Sequence, residues 1–126
     1  MKFIETQYSK NKPGHYSPGV ISGNMLYISG QISRDPATNI TPNNFKGEVV
    51  QALNNIELVL KEAGLTKNHV VMCRAVITDM ALWDEFNEVY GQWFGGHKPA
   101  RIVTPVSELH YGCKVEIEAV AEIVIS

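Results

Sequence analysis

The sequence has few of the features that mark secreted, membrane-spanning or metal-binding proteins. It contains only two cysteines, Cys73 and Cys113, and these and the four histidines are scattered along the chain without metal-ligand spacing. No apolar run is long enough to span a bilayer, and residues 1–5 show no signal-peptide pattern. We therefore expect a cytoplasmic protein with reduced thiols, no metal site, no cofactor and no membrane partner.

An excess of positive charge is also missing. The chain has 11 Lys and Arg residues against 13 Asp and Glu residues, for a net charge of -2, and no basic stripe. Because cationic contacts to phosphates supply much of the affinity of nucleic-acid-binding proteins, this balance argues against a nucleic-acid partner. With 126 residues, the chain is predicted to form one domain, 1–126, which buries about two-thirds of its unfolded surface.

Two apolar periodicities alternate along the chain and predict an α+β domain. Period-two patterns indicate strands, and apolar residues three or four positions apart indicate helices. The predicted strands cover residues 3–7, 18–22, 25–29, 69–78, 102–106 and the stretch from 114, and the helices cover 45–63 and 80–94. The order β-β-β-α-β-α-β-β favours a mixed or mostly antiparallel sheet with both helices on one face.

Local signals mark the turns and helix ends. Gly23-Asn24 is typical of a two-residue hairpin turn, since both residue types tolerate positive φ. Asn43 or Asn44 is a suitable N-cap for the first helix, Gly64 a suitable terminator, and Asp79 a suitable cap for the second helix. The polar residues off the apolar stripe of the first helix are predicted to be solvated: Glu48, Gln51, Asn55, Glu57 and Lys61.

The last third of the chain carries the clearest chemical pattern. Its final strand alternates, with apolar Val115, Ile117, Ala119, Ala121, Ile123 and Ile125 on one face and Lys114, Glu116, Glu118 and Glu122 on the other. Arg101 begins the preceding strand, and a hairpin-like return through 108–112 predicts that Arg101 lies beside Glu116. Such a pair is either a clamp for an anionic substrate with an acid/base partner, or a surface ion pair on a sheet edge.

These residues resemble the signature of the Rid (YjgF-like) family, the reactive imine and enamine deaminases. Pro99-Ala100-Arg101 followed by the Val-Glu-Ile-Glu-Ala-Val-Ala run at 115–121 resembles the C-terminal motif of that family. Residues 13–20 resemble its N-terminal loop, 26–32 its Ser-Gly-Gln strand end, and 87–94 its second helix. The resemblance implies a chorismate-mutase-like fold and a homotrimer with its sites at subunit interfaces.

The resemblance also implies a reaction, the hydrolysis of 2-imino acids such as 2-iminobutanoate and 2-iminopropanoate to 2-keto acids and ammonia. In that chemistry Arg101 binds the substrate carboxylate, Glu116 orients or activates the attacking water, and Tyr16 flanks the pocket. Ser29, Gly30 and Asn87 match further substrate-binding positions. The structural alternatives are an Arg101–Glu116 ion pair, an exposed loop tyrosine, a plain turn at 29–30 and a solvated helix asparagine.

Some positions depart from the family pattern. Ile102 and Val103 stand where many deaminases have a small residue and a cysteine, and 109–113 replaces the frequent turn. His110 and Tyr111 either line a pocket of different shape or decorate the turn. These departures leave the substrate open. They also leave two alternative functions: a non-enzymatic binding protein for small carboxylates such as 2-keto acids, and the endoribonuclease or translation inhibitor activity long associated with the family.

Overall fold

The structure is a computed structural model that describes residues 1–10 and 12–124. Ile125, which the alternation assigns to the last strand, lies outside these described residues.

One six-stranded sheet forms the scaffold. Its strands are β1 (Lys2–Ile4), β2 (Gly19–Ser22), β3 (Met25–Ile32), β4 (Val70–Ile77), β5 (Ala100–Pro105) and β6 (Val115–Glu122). The spatial order is β1-β2-β3-β6-β4-β5, and every neighbouring pair is antiparallel except β4 and β5, which run parallel. The predicted element order and the mixed sheet are confirmed. The Gly23-Asn24 turn is confirmed too, with Ser22 opposite Met25 and Gly23 at φ 61°.

The position of β6 differs from the sequence prediction. This strand pairs with β3 on one side and with β4 on the other, so β4 separates it from β5. The prediction that 108–112 acts as a hairpin-like return between β5 and β6 is therefore wrong. A central position suits β6, because it buries its whole inner face and pairs both of its backbone edges. The residues of β5 are partly or fully exposed, which is consistent with the position of this strand at the edge of the sheet.

Two helices cover one face of the sheet. Helix α1 spans Phe45–Glu62, and the side chain of its N-cap Asn44 accepts the N–H of Gly47 at 2.7 Å, as predicted. Helix α2 spans Trp83–Phe94. Asp79 caps a 3₁₀ turn at Met80–Leu82, so the predicted second helix begins as this tighter turn and becomes α-helical from Trp83.

The core lies between the helices and the sheet. Leu53 and Ile56 of α1, Phe86 of α2, and Ile77 and Ile117 of the sheet are fully buried in one cluster. Burial of this kind supplies most of the free energy that favours folding. Within the described residues, neither helix is both long and apolar enough to cross a membrane.

Two polar residues of α1 are buried and tie the helix to neighbouring chain segments. Glu48 is 5% exposed and accepts hydrogen bonds from the Ser33 hydroxyl at 2.8 Å and the Lys114 N–H at 2.9 Å. Asn55 donates to the carbonyls of Ile32 and Arg34. The prediction that these two residues are solvated is wrong, because the segments that cover the flank of α1 come from distant parts of the chain that helical periodicity does not reveal.

The Glu48 contacts lead to a stability prediction. Glu48→Ala leaves a buried hydroxyl and a backbone N–H without their acceptor, so we expect the free energy of unfolding to fall by about 2–4 kcal/mol. Urea unfolding followed by circular dichroism measures this change. The matched control is Glu57→Ala, which removes only a helix-surface pair with Lys61 at 3.7 Å, with an expected effect below about 0.5 kcal/mol. Equal losses in the two variants would contradict the assignment.

Candidate functional site

Arg101 is held on the helix side of the sheet. It lies on β5 directly opposite Cys73 of β4, and its Nη1 donates to Oδ1 of Asn87 on α2 at 2.9 Å. Its guanidinium carbon is 5.0 Å from the ring centroid of Tyr90. Within the described residues, no carboxylate forms an ion pair with Arg101. Its charge is therefore available to an external anion.

Aromatic residues of α2 form a platform under the Arg101 guanidinium. Besides Tyr90, Trp83 lies 5.6 Å and Phe86 5.9 Å from the guanidinium carbon, both measured to the ring centroids. These contacts stabilise a cation and fix its orientation without neutralising it. Asn87, predicted as a substrate-binding residue or a solvated polar residue, holds Arg101 in place in this structure.

Glu116 lies on the opposite face of the sheet. Its neighbours Val115 and Ile117 are fully buried against the helices, so the alternation of β6 directs Glu116 away from them. It lines a small cavity of about 170 Å³ together with Gly30, Arg74, Val76 and Glu118. Burial, with a smaller contribution from the negative charge of Glu118, raises the pKa of Glu116. A raised pKa suits a carboxylate that exchanges protons with a reacting water.

Gly30 and Ser29 lie where β3 loses its regular pairing with β6. The register shifts between Ile28 and Gln31, and Gly30 is so close to Glu116 that a Cβ atom at this position would lie 2.8 Å from Oε1. The Ser29 hydroxyl donates to the carbonyl of Ser17 at 2.6 Å, which fastens the N-terminal loop to the strand end. The strand-end pair is thus more than a plain turn, because Gly30 leaves the space that the carboxylate occupies.

Tyr16 lies on the N-terminal loop just beyond this anchor, and its side chain is 64% exposed. It lines a larger cavity of about 460 Å³ that also includes Gly30, His110 and Tyr111. The structure therefore brings Tyr16, Gly30 and the 110–111 turn to one region.

The predicted site residues fall into two groups within a single chain. Gly30, Ser29, Tyr16 and Glu116 lie near the end of β3, whereas Arg101 and Asn87 lie at the β5 edge. Strands are spaced about 4.8 Å apart, so β4 puts roughly 10 Å between the backbones of β5 and β6, and the two side chains point to opposite faces. The prediction that Arg101 lies beside Glu116 is wrong for one chain.

Comparison with known protein families identifies the family of this chain. A sequence model described as Endoribonuclease L-PSP matches residues 9–123. The chain belongs to that family. It is the Rid (YjgF-like) family that the motifs indicate, so the resemblance drawn from the sequence is confirmed.

Named relatives of the L-PSP family cover nearly the whole chain. A RutC family protein of Pyrococcus horikoshii is 39% identical over 121 residues, which cover 93% of this chain and 96% of the relative. A mouse protein named 2-iminobutanoate/2-iminopropanoate deaminase is 38% identical and covers 95% and 90%. The crystal structure of E. coli TdcF with bound serine superposes with a TM-score of 0.90 at 34% identity, covering 97% and 98%. Matches to such structures confirm the predicted fold class.

The sequence prediction missed Arg74. This residue lines the small cavity with Glu116, and its Nη1 lies 3.9 Å from Oε1 of Glu118. Alternation along β4 assigns Arg74 to the outer face, but its position near Glu116 depends on the pairing of β4 with β6, where Val76 is opposite Glu116. Because this pairing joins strands that are far apart in the sequence, no local sequence pattern indicates it.

Cys73 is a structural thiol in this member of the L-PSP family. Burial raises the pKa of the Cys73 thiol, although the positive charge of Arg101 acts in the opposite direction. A protonated thiol is a poor nucleophile. Within residues 1–10 and 12–124, no three His, Cys, Asp or Glu side chains form a group that could hold a metal ion.

The close approach at Gly30 predicts a selective loss of activity. In Gly30→Ala the new methyl group collides with the flexible end of Glu116, which rotates away and leaves the fold intact. We expect a reaction that uses Glu116 as acid or base to slow about tenfold or more in this variant, since small displacements of catalytic groups have large effects on rate. The melting temperature should stay within a few degrees of wild type. A fully active Gly30→Ala protein would contradict the assignment of this carboxylate.

The charge of Glu118 predicts a pH effect. Because the negative charge of Glu118 contributes to the raised pKa of Glu116, Glu118→Gln should lower that pKa. The loss of activity on acidification that follows from protonation of Glu116 should then occur at lower pH. The profile of kcat/KM from pH 4 to 8 measures the shift. Glu122→Gln, a change farther along the same strand face, is the control and should leave this pH unchanged. An upward shift in Glu118→Gln would contradict the electrostatic account.

Proposed function

We propose that the protein hydrolyses small 2-imino acids, such as 2-iminobutanoate and 2-iminopropanoate, to 2-keto acids and ammonia. The observation that carries the proposal is an unneutralised Arg101 on an aromatic platform, supported by a separate carboxylate of raised pKa, Glu116, on the other face of the sheet. The name of the mouse relative supports the same reaction class.

The chemistry assigns one task to each residue. The planar guanidinium of Arg101 binds the substrate carboxylate through two parallel hydrogen bonds. Glu116 accepts a proton from water as the oxygen attacks the carbon of the C=N bond, and delivers it to the nitrogen. The hydroxyl of the resulting amino alcohol then gives its proton, through Glu116, to the nitrogen as the C–N bond breaks, so ammonia leaves with both protons of the water and the carbon becomes the carbonyl of the 2-keto acid. Tyr16 flanks the pocket and supplies a hydroxyl for the water or the nitrogen.

This mechanism requires a second copy of the chain, since Arg101 and Glu116 lie on opposite faces of the sheet. In a cyclic homotrimer each interface joins two different surfaces, and we propose that the β5 edge of one copy meets the outer sheet face of the next. Exposed apolar side chains on that outer face support such packing: Tyr27 is 50% exposed and Ile102 is 51% exposed. We propose that Arg101 of one copy completes the site around Glu116 of its neighbour.

A coupled assay tests the proposed reaction. Threonine dehydratase generates 2-iminobutanoate, semicarbazide traps it, and the purified protein competes for the free imine. We expect semicarbazone formation to fall in proportion to the protein concentration while 2-oxobutanoate still accumulates. Unchanged semicarbazone formation at a large excess of protein would contradict the proposal.

A second candidate function is binding of a small carboxylate without catalysis. The E. coli TdcF structure contains bound serine. Because serine carries a carboxylate, binding of small carboxylates by Arg101 is a second function that can be tested. Calorimetric binding of 2-oxobutanoate together with an unchanged imine lifetime would favour this candidate over the deaminase. The mild negative net charge of the chain gives no comparable support to ribonuclease activity.

A further inference from the structure

The larger cavity lies on the helix side of the sheet. Its volume is about 460 Å³, and Leu58 and Val59 of α1 form part of its wall. The other walls come from the N-terminal loop, the end of β3 with the loop that follows it, and the turn at 110–111. Glu116 lies on the opposite face, in the smaller cavity. The larger cavity is therefore a separate space, and its size is typical of sites that hold small organic molecules.

Arg34 is the cation whose position in this cavity is fixed. Its Nε donates to the carbonyl of Asn39 at 3.1 Å, and its guanidinium carbon lies 3.8 Å from the ring centroid of Tyr111. Within residues 1–10 and 12–124, its terminal N–H groups donate to no side chain or carbonyl, and no carboxylate forms an ion pair with it. Arg34 is thus oriented by its neighbours and keeps donors for a ligand.

The cavity has cations but no Asp or Glu among its described lining residues. Lys12 adds a second positive charge from the N-terminal loop. Two acidic side chains adjoin the lining and are engaged by other groups. Oδ1 of Asp35 accepts the Ala37 N–H at 2.9 Å, and Oε2 of Glu5 accepts the Ser9 hydroxyl at 2.5 Å. Positive charge without a counter-charge in a concave site favours an anionic group on the ligand.

The arrangement favours a carboxylate over a phosphate. A planar guanidinium matches the two oxygens of a carboxylate. Phosphate sites commonly use the backbone N–H groups of a helix N-terminus. Among the described lining residues, α1 contributes Asn55, Leu58 and Val59, which are more than two helical turns beyond its first residue, Phe45. The helix N-terminus is therefore not part of the cavity.

Aromatic and aliphatic side chains form much of the remaining wall. Tyr16 and Tyr111 line the cavity and are 64% and 58% exposed, so both rings retain surface that a ligand can cover. Leu58 and Val59 supply aliphatic surface from α1. Aromatic groups pack on such rings in offset or edge-to-face arrangements with centroids about 4.5–7 Å apart. The lining thus fits a ligand that combines one carboxylate with a flat apolar body.

We propose that this cavity binds aromatic carboxylates, with the carboxylate on Arg34 and the ring system between the exposed tyrosines and α1. Neither Arg101 nor Glu116 lines the cavity, so the site is distinct from that of the proposed imine hydrolysis. The ligand is bound and not converted, and the site is therefore detected by affinity.

Calorimetry with 2-naphthoate and its neutral counterpart 2-naphthamide tests the site. We expect 2-naphthoate to bind wild type more tightly by about tenfold or more, because a charge-assisted pair with Arg34 is stronger than a neutral hydrogen bond. Arg34→Met keeps the length of the side chain but removes its charge, and should weaken 2-naphthoate binding by a similar factor. Lys61→Met, which removes an exposed cation of α1 outside the cavity, should bind as wild type.

Two further variants locate the bound molecule. Arg101→Met removes the proposed substrate clamp and should leave 2-naphthoate binding unchanged. Leu58→Trp fills part of the cavity without a change of charge and should weaken binding, which tests the site even if Arg34→Met fails to fold.

Three results would overturn the inference: no binding of 2-naphthoate to wild type, equal binding by wild type and a folded Arg34→Met protein, or loss of binding in Arg101→Met. None of these measurements uses imine hydrolysis. A negative deaminase assay therefore leaves the inference standing, and loss of the Arg34 site leaves the proposed reaction standing.

Discussion

Replacement of Arg101 by methionine is expected to lower kcat/KM for 2-iminobutanoate by about 100-fold or more. The variant keeps the aliphatic stem over the Tyr90 ring but removes the charged fork that binds the substrate carboxylate. Loss of a charge-assisted, two-bond contact reduces stabilisation of the bound substrate and of the transition state together. The measurement is the rate of imine decay in the semicarbazide assay, with the melting temperature recorded for each protein.

Two further variants make the Arg101 result specific. Arg101→Lys keeps the charge without the planar fork and should recover only part of the activity. Lys98→Met removes a nearby exposed cation that no assigned contact uses, and should behave as wild type. Equal activity in Arg101→Met and Lys98→Met would contradict the role of Arg101 as the carboxylate clamp.

Replacement of Glu116 by glutamine has the second large expected effect, a fall in kcat of about 100- to 10,000-fold, the range for loss of a general base. The amide cannot accept the proton of the attacking water. Binding of 2-oxobutanoate should persist in calorimetry, because the carboxylate clamp is untouched. Full activity in Glu116→Gln would contradict the proposed role.

The same variant has a distinctive effect on stability. Burial raises the pKa of Glu116 in the folded protein, so ionisation of this group weakens folding as pH rises from below its ordinary pKa through the raised value. Glutamine carries no such charge, and Glu116→Gln should therefore unfold at the same temperature as wild type, or higher, at neutral pH. Glu122→Gln, at an exposed position on the same face of β6, is the matched control for activity. A large drop in melting temperature would instead assign Glu116 a structural role.

Much of the fold was predictable because its signals are local. Strict alternation in β6, helical periodicity in α1 and the Gly23-Asn24 turn each involve neighbouring residues, and the structure confirms all three. The insertion of β6 between β3 and β4 was not predictable in this way. Its position depends on pairing between strands far apart in sequence, and period-two alternation is compatible with either a central or an edge position.

The candidate site also combines features that local sequence signals predict with features that depend on contacts between distant parts of the chain. Gly30 and Glu116 belong to the residues that the family motifs identify, but their close approach, which would put a Cβ atom at Gly30 2.8 Å from Oε1 of Glu116, depends on a register shift in β3 that has no sequence signature. Burial of Glu48 and the Arg34–Tyr111 stack were missed because loops bring these partners together over long sequence distances. Arg101 was identified by motif, yet its assumed neighbour lies on the other face of the sheet.

The central claim is that Arg101 and Glu116 act together only across an interface between two copies, and mixed oligomers test it most directly. Arg101→Met and Glu116→Gln chains with different affinity tags are co-refolded in equal amounts, and species carrying both tags are isolated and assayed with 2-iminobutanoate. In a cyclic homotrimer that contains both kinds of chain, one of the three sites, or about one third, combines an intact Arg101 with an intact Glu116. We predict recovery of about that fraction of wild-type activity from two inactive parents. Doubly tagged oligomers as inactive as their parents would contradict the account.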